Sequence, residues 1–155
     1  METTTTISQY ELERGKPLPR FKHGIVQGNL IVALAAYREK YSIVPELDIE
    51  LNGQPSVPDV CVYPKREVNW TAEEDPITEP PLIAVEILSQ SQSIDELMRK
   101  AEAYLAAGVG AVWVVVPSAQ TIFALKPNAK IEAYTKGIIR DDATGIEVNV
   151  SEIFR

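Results

Sequence analysis

The spacing of apolar residues along the chain changes several times, and each change predicts an element. Phe21 to Tyr41 carries them at helical spacing, with Ile25, Ile31, Val32, Leu34 and Ala35 predicting a broad buried face. Ile43 to Leu51 alternates instead. Leu47, Ile49 and Leu51 take one face and Glu46, Asp48 and Glu50 the other, the pattern of a half-buried strand. Asn52-Gly53 marks a tight hairpin, so the next strand, Ser56 to Tyr63, should pair antiparallel with the first. Pro58 inside that strand needs an edge or a bulge, where no ladder hydrogen bond is required.

Leu82 to Leu88 is almost wholly apolar and has strand length, bounded by Pro80-Pro81 and a serine cluster. It reads as a strand buried on both faces. Ser93 and Glu96 have capping-box spacing, and the helix they open should run to about Ala107 and stop at Gly108. Ala111 to Val116 is a second fully apolar strand. Strand, helix and strand with short connections predict a right-handed crossover between parallel strands. Thr121 to Leu125, Lys130 to Thr135 and Ile146 to Val150 are predicted short strands that extend the sheet. Residues 1–20 read as an arm in which Gly15, Pro17 and Pro19 prevent regular structure. Lys65 to Pro80 reads as a surface loop, in which Trp70 either covers the core or contacts a partner, the cover being favoured. These elements predict one α/β domain over residues 1–155, a central mixed sheet with helices on both faces.

Composition narrows the class. Of 155 residues, 45% are hydrophobic and 24% charged, as in ordinary globular proteins. The single cysteine, Cys61, excludes an intrachain disulfide, and its apolar strand predicts a buried, inert thiol. No apolar run approaches a membrane span, and the start of the chain lacks the features of a signal peptide, so a cytoplasmic location is expected. The net charge of −7 argues against a protein that coats nucleic acid non-specifically. It leaves room for an enzyme that holds DNA in a local basic groove.

The candidate chemistry centres on Glu86. A carboxylate in an apolar strand costs several kcal/mol unless it is paired or bound to a metal. Asp59 lies on a different strand, also among apolar residues. Two carboxylates brought together repel, and a hard divalent cation removes that cost through oxygen ligands. Lys100, on the helix after the Glu86 strand, could orient or deprotonate water and offset phosphate charge; Tyr104 shares its helix face. The plainer alternatives are a turn role for Asp59, an arginine partner for Glu86 and an exposed Lys100. His23, the one histidine, stands in the first turn of the first helix, where a surface or capping role competes with a functional one.

Pro58-Asp59, followed by Glu86-Ile87-Leu88 after an apolar run, resembles the PD-(D/E)xK signature of restriction-endonuclease-like nucleases. Val57-Pro58-Asp59-Val60, Val85-Glu86-Ile87-Leu88-Ser89, Lys100-x-x-x-Tyr104 and Ala107-Gly108-Val109 with Trp113 together are similar to the Uma-two family of endonucleases. The resemblance runs from roughly His23 to Pro117. It implies a restriction-endonuclease-like fold, with Asp59, Glu86 and the backbone carbonyl of Ile87 as ligands of magnesium or manganese and Lys100 as the catalytic lysine. Glu46, His23 and Tyr104 become accessory candidates. The chain departs from the general pattern at Leu88, where the superfamily has its lysine. It departs from the family's habit at Ala111 and Val116, where acidic residues are common.

The implied function is metal-dependent hydrolysis of DNA phosphodiesters. Cutting both strands of a duplex usually takes two active sites, so a homodimer is expected. The alternative is a catalytically inactive module that keeps the nuclease fold for binding or assembly. No membrane partner is expected.

Overall fold

The computed structural model describes residues 8–155, so the first part of the arm and the expectation of no signal peptide lie outside the described residues. A six-stranded sheet forms the centre. Its strands are β1 (Tyr41–Pro45), β4 (Val60–Pro64), β5 (Ile83–Ile87), β6 (Ala111–Val116), β7 (Thr121–Leu125) and β8 (Glu132–Tyr134), adjacent in that order. Only β5 and β6 run parallel, joined by helix α3 (Ile94–Ala106); the other pairs are antiparallel. The expected crossover is therefore present.

The two central strands are buried throughout, as their unbroken apolar runs require. Alternation divides them between two cores. Ile83, Val85, Ile87, Ala111, Trp113 and Val115 pack on the side of helix α2 (Phe21–Leu34). Ala84, Val112, Val114 and Val116 pack on the other side, against Leu97, Ala101 and Tyr104 of α3. Ser93 Oγ accepts the Glu96 amide at 3.1 Å and fixes the start of α3, and Gly108 leaves the helix end with φ +101°.

Several expectations need correction. The helix predicted to reach Tyr41 ends at Leu34 and tightens into a 3₁₀ turn over Ala35–Tyr37. Its buried face is His23, Val26, Leu30 and Leu34, while Ile25 and Val32 are exposed. The predicted strand Ile43–Leu51 breaks at Glu46, which takes φ +51°; β1 stops before it and β2 (Ile49–Leu51) follows. The partner breaks too, into β3 (Gln54–Ser56) and β4, with Pro58-Asp59 between them. Pairing is antiparallel as expected, but split: β2 with β3 across Asn52-Gly53, and β1 with β4. Pro58 thus avoids the ladder altogether. Strand β10 (Glu147–Asn149) does not extend the central sheet. It pairs with β9 (Ile138–Arg140), which the sequence reading missed, and leads into the short helix α4 (Val150–Ile153) beside α2. Trp70 covers nothing and is 87% exposed.

The described part of the arm is not irregular. Gln9–Arg14 forms helix α1, closed by a full capping box between Ser8 and Glu11 and ended by Gly15 at φ +65°. Pro17 and Pro19 act only after the helix has finished. Among the described residues no helix is long and apolar enough to cross a membrane.

Candidate active site

Strand register brings the two carboxylates together. β4 and β5 are antiparallel, with Val60 opposite Val85 and Cys61 opposite Ala84. Asp59 comes one residue before β4, and its amide donates to the Val85 carbonyl at 3.0 Å, which holds it beside the end of β5 that carries Glu86. Strand alternation puts Glu86 on the same face as Ala84, the face that α3 covers. Both carboxylates are buried, at 1% and 2% exposure. Two buried like charges this close, both within reach of one ammonium, repel unless positive or hydrogen-bond-donating groups face them.

Donors converge from three elements. Lys100 of α3 places Nζ 3.1 Å from Glu86 Oε1. Tyr104, one turn on, donates its hydroxyl to the same oxygen at 2.7 Å, and that hydroxyl also contacts Ser56 Oγ closely. His23 of α2 sets Nε2 3.1 Å from Asp59 Oδ1. The arm supplies two more. Lys16 Nζ lies 3.1 Å from Asp59 Oδ1 and 2.9 Å from Glu86 Oε2, bridging the pair. Arg14 Nη2 lies 3.4 Å from Asp59 Oδ1 and 3.0 Å from Glu46 Oε1.

The scaffold holds Asp59 from its other side. Asp59 Oδ2 accepts the Ile87 amide at 2.7 Å, and the Asp59 carbonyl accepts Gln27 Nε2 at 2.8 Å. Burial alone would raise the Asp59 carboxyl. The His23 hydrogen bond, the Lys16 charge and the Ile87 amide outweigh it and bring the group from 3.8 down to about 2. Burial opposes the charge on Lys16 as well, yet Glu86 and Asp59 prevail and its ammonium titrates above its ordinary value. Burial, and then the Glu86 charge, push the Tyr104 phenol up, so it stays a hydrogen-bond donor. Burial pushes the Cys61 thiol up to about 12, in keeping with the inert role expected for it.

The residues singled out from the sequence therefore gather in one place. Asp59, Glu86, Lys100, Tyr104 and His23 are in direct contact, and Ile87 enters through its backbone. Glu46 stands one residue removed, joined through Arg14. His23 is buried on Asp59 and is not a surface or capping group. Sequence reasoning missed Lys16, Arg14, Gln27 and Ser56. The Ser8-x-x-Glu11 spacing with Gly15 could have revealed a helix in the arm; nothing local indicated that it folds back over the carboxylates.

The donor set suits a hard cation. Asp59 Oδ1 and Glu86 Oε2 face a common point, now held by the Lys16 ammonium, which is itself a cation between carboxylate oxygens. Among the described residues no three His, Cys, Asp or Glu side chains group as a metal cage. Two carboxylates fit magnesium, which keeps several waters and leans on substrate phosphate. A cavity of about 310 Å³ is lined by His23, the partner of Asp59, and by neither carboxylate. Its lining includes Arg20, Lys22 and His23 from the start of α2, and Leu88 and Ser89 from the end of the Glu86 strand.

A family model described as "Putative restriction endonuclease" (Uma2) matches residues 4–151. The crystal structure of "a putative nuclease belonging to DUF820" from Anabaena variabilis superposes with a TM-score of 0.73 at 22% identity, covering 89% of this chain and 83% of that one. The fold is thus restriction-endonuclease-like. No curated protein matches the chain.

Proposed function

The chain belongs to the Uma2 family, and on that premise we propose that it is a magnesium- or manganese-dependent endonuclease hydrolysing DNA phosphodiester bonds at Asp59 and Glu86. One observation carries this reading. Two buried carboxylates converge on a cation-sized point, and His23, which contacts Asp59, also lines a cavity with Arg20 and Lys22. A structural ion pair has no use for a second carboxylate facing the first, because replacing such buried groups by apolar residues is often neutral or stabilising.

In this proposal Asp59 and Glu86 would hold the ion. Extended backbone points a residue's carbonyl to the same edge as its amide. The Ile87 carbonyl therefore leaves its strand on the Asp59 side, where it would be available as a further ligand. The bound cation would polarise the phosphate and lower the pKa of the attacking water. The chain's own groups do the rest. Lys100 Nζ, beside Glu86 and with its side chain 29% exposed, orients the water at the rim and offsets charge on the phosphate. Tyr104 fixes Glu86 Oε1 so that Oε2 points inward. Arg20 and Lys22 receive neighbouring phosphates of the strand. Water attacks phosphorus as one P–O ester bond breaks; one of its protons passes by way of solvent to the departing oxygen, which leaves as a hydroxyl, and the other stays on the phosphate monoester or is lost to solvent.

Incubation of a fluorescent DNA duplex with magnesium or manganese tests this. Cleavage is expected from the parent protein. Glu86→Gln keeps the shape of the site and should lose it, and Lys100→Met should lose roughly 10²–10⁴-fold. Lys100→Met as fast as the parent beside an inactive Glu86→Gln would remove the lysine assignment and leave the metal pair standing. Cutting both strands further calls for a homodimer; light scattering showing a monomer at micromolar concentration would contradict that part.

One observation favours the non-catalytic module. With Lys16 between the carboxylates, each of the four carboxylate oxygens of the pair already has a partner. Parent protein no more active than Glu86→Gln would select that reading.

A further inference from the structure

The geometry points to Lys16 as a built-in competitor for the site's cation, so that a divalent ion enters only as the arm carrying Lys16 lifts away. This rests on the reading of Asp59 and Glu86 as the pair that holds a metal.

Each carboxylate divides its oxygens between two tasks. Asp59 Oδ2 is tied to the Ile87 amide, and Glu86 Oε1 to Tyr104 and Lys100. The remaining oxygens, Asp59 Oδ1 and Glu86 Oε2, both face Lys16 Nζ at 3.1 and 2.9 Å. Magnesium binds oxygen at about 2.0–2.1 Å. An ion bridging those two oxygens would overlap the ammonium and repel it, so the two cannot share the point.

Lys16 also arrives on an element built to leave. Helix α1 buries none of its residues, and Leu12 on it is 65% exposed. Gly15, at φ +65°, forms a turn between that helix and Lys16. The arm's polar links to the site run through Lys16 and Arg14, which meet Asp59, Glu86 and Glu46. Arg14 Nε is buried with no partner among the described residues, so even this anchor is incompletely satisfied. An element with few buried apolar contacts opens at low free energy. A divalent ion removes the charge attraction that keeps it closed.

The expected consequence is quantitative. When the competent state is a minor population, apparent affinity falls by that fraction. Removing the competitor should therefore tighten metal binding by about tenfold or more. Manganese binding to the full chain is measured by calorimetry for the parent, Lys16→Met and Lys16→Gln, with hydrogen exchange of the α1 amides read in parallel. Circular dichroism checks that the variants fold, and two neutral replacements guard against one failing to do so. The proposal expects both variants to bind manganese more tightly than the parent. It also expects manganese to speed exchange at Gln9–Arg14 in the parent. Equal or weaker binding by the variants, or α1 exchange unchanged at saturating manganese, overturns it while leaving the metal pair intact. If neither the parent nor the variants bind manganese, the metal reading fails and the competitor with it.

Discussion

Asp59 is held in its ionised form by neighbours that burial alone would not provide. His23, Lys16 and the Ile87 amide bring its carboxyl to about 2 against an ordinary 3.8. A carboxyl depressed in the folded state stabilises the protein fully above the unfolded value, and the contribution disappears as pH falls through the folded one. The window is therefore roughly pH 4 to 2, and the amount on the order of 2 kcal/mol. Asp59→Asn lacks this contribution at every pH. Urea melts should show the gap in stability between parent and Asp59→Asn shrinking as pH drops from 5 toward 2; a constant gap would mean that the Asp59 charge is not what the network stabilises. At this scale much of the site was legible. Glu86 stood out because a lone carboxylate in an apolar strand needs a partner, and Lys100 because its helix returns across that strand. Lys16 was not legible. Its contact depends on where a polar arm folds back, and no periodicity encodes that.

The elements place these residues through backbone constraints that show up at two glycines. Gly110, between α3 and β6, leaves no room for a side chain. A Cβ there would lie 2.7 Å from the Leu82 carbonyl oxygen, which accepts the Ala111 amide at 3.1 Å. Gly28, inside α2, has open space around its missing Cβ. The same substitution should act in opposite directions. Gly110→Ala forces a backbone shift and should cost about 1–3 kcal/mol, as overpacking does. Gly28→Ala should stabilise by about 0.4–1 kcal/mol. Thermal melts decide this, and a Gly110→Ala as stable as the parent would show that the β5–β6 connection can yield. The elements themselves followed the hydrophobic pattern closely where runs were long: β5, β6, β7 and α3 lie where periodicity put them. The failures came where one residue changed the backbone. Glu46 adopts φ +51° and interrupts an alternating pattern that reads as one strand, and Pro58 separates β3 from β4. The β9 strand, Ile138–Arg140, is too short to announce itself.

The whole molecule is acidic, with net charge −7, yet concentrates cations at the carboxylate pair and its adjoining cavity. Lys16, Lys100, Arg14 and His23 all contact acidic groups there, and Arg20 and Lys22 line the opening. An acidic body disfavours coating of DNA and leaves room for local engagement of a phosphate strand by groups such as Arg20 and Lys22. Overall architecture was legible from the order of elements, because strand, helix and strand between antiparallel neighbours leaves few arrangements. The central claim is that Asp59 and Glu86 share a divalent cation, and anomalous scattering from crystals grown with manganese and a short DNA duplex tests it most directly. The account predicts a manganese peak between Asp59 Oδ1 and Glu86 Oε2, with a DNA phosphate oxygen beside it and Lys16 Nζ withdrawn. Lys16 still bridging both carboxylates at saturating manganese, with the metal bound elsewhere or absent, would contradict it.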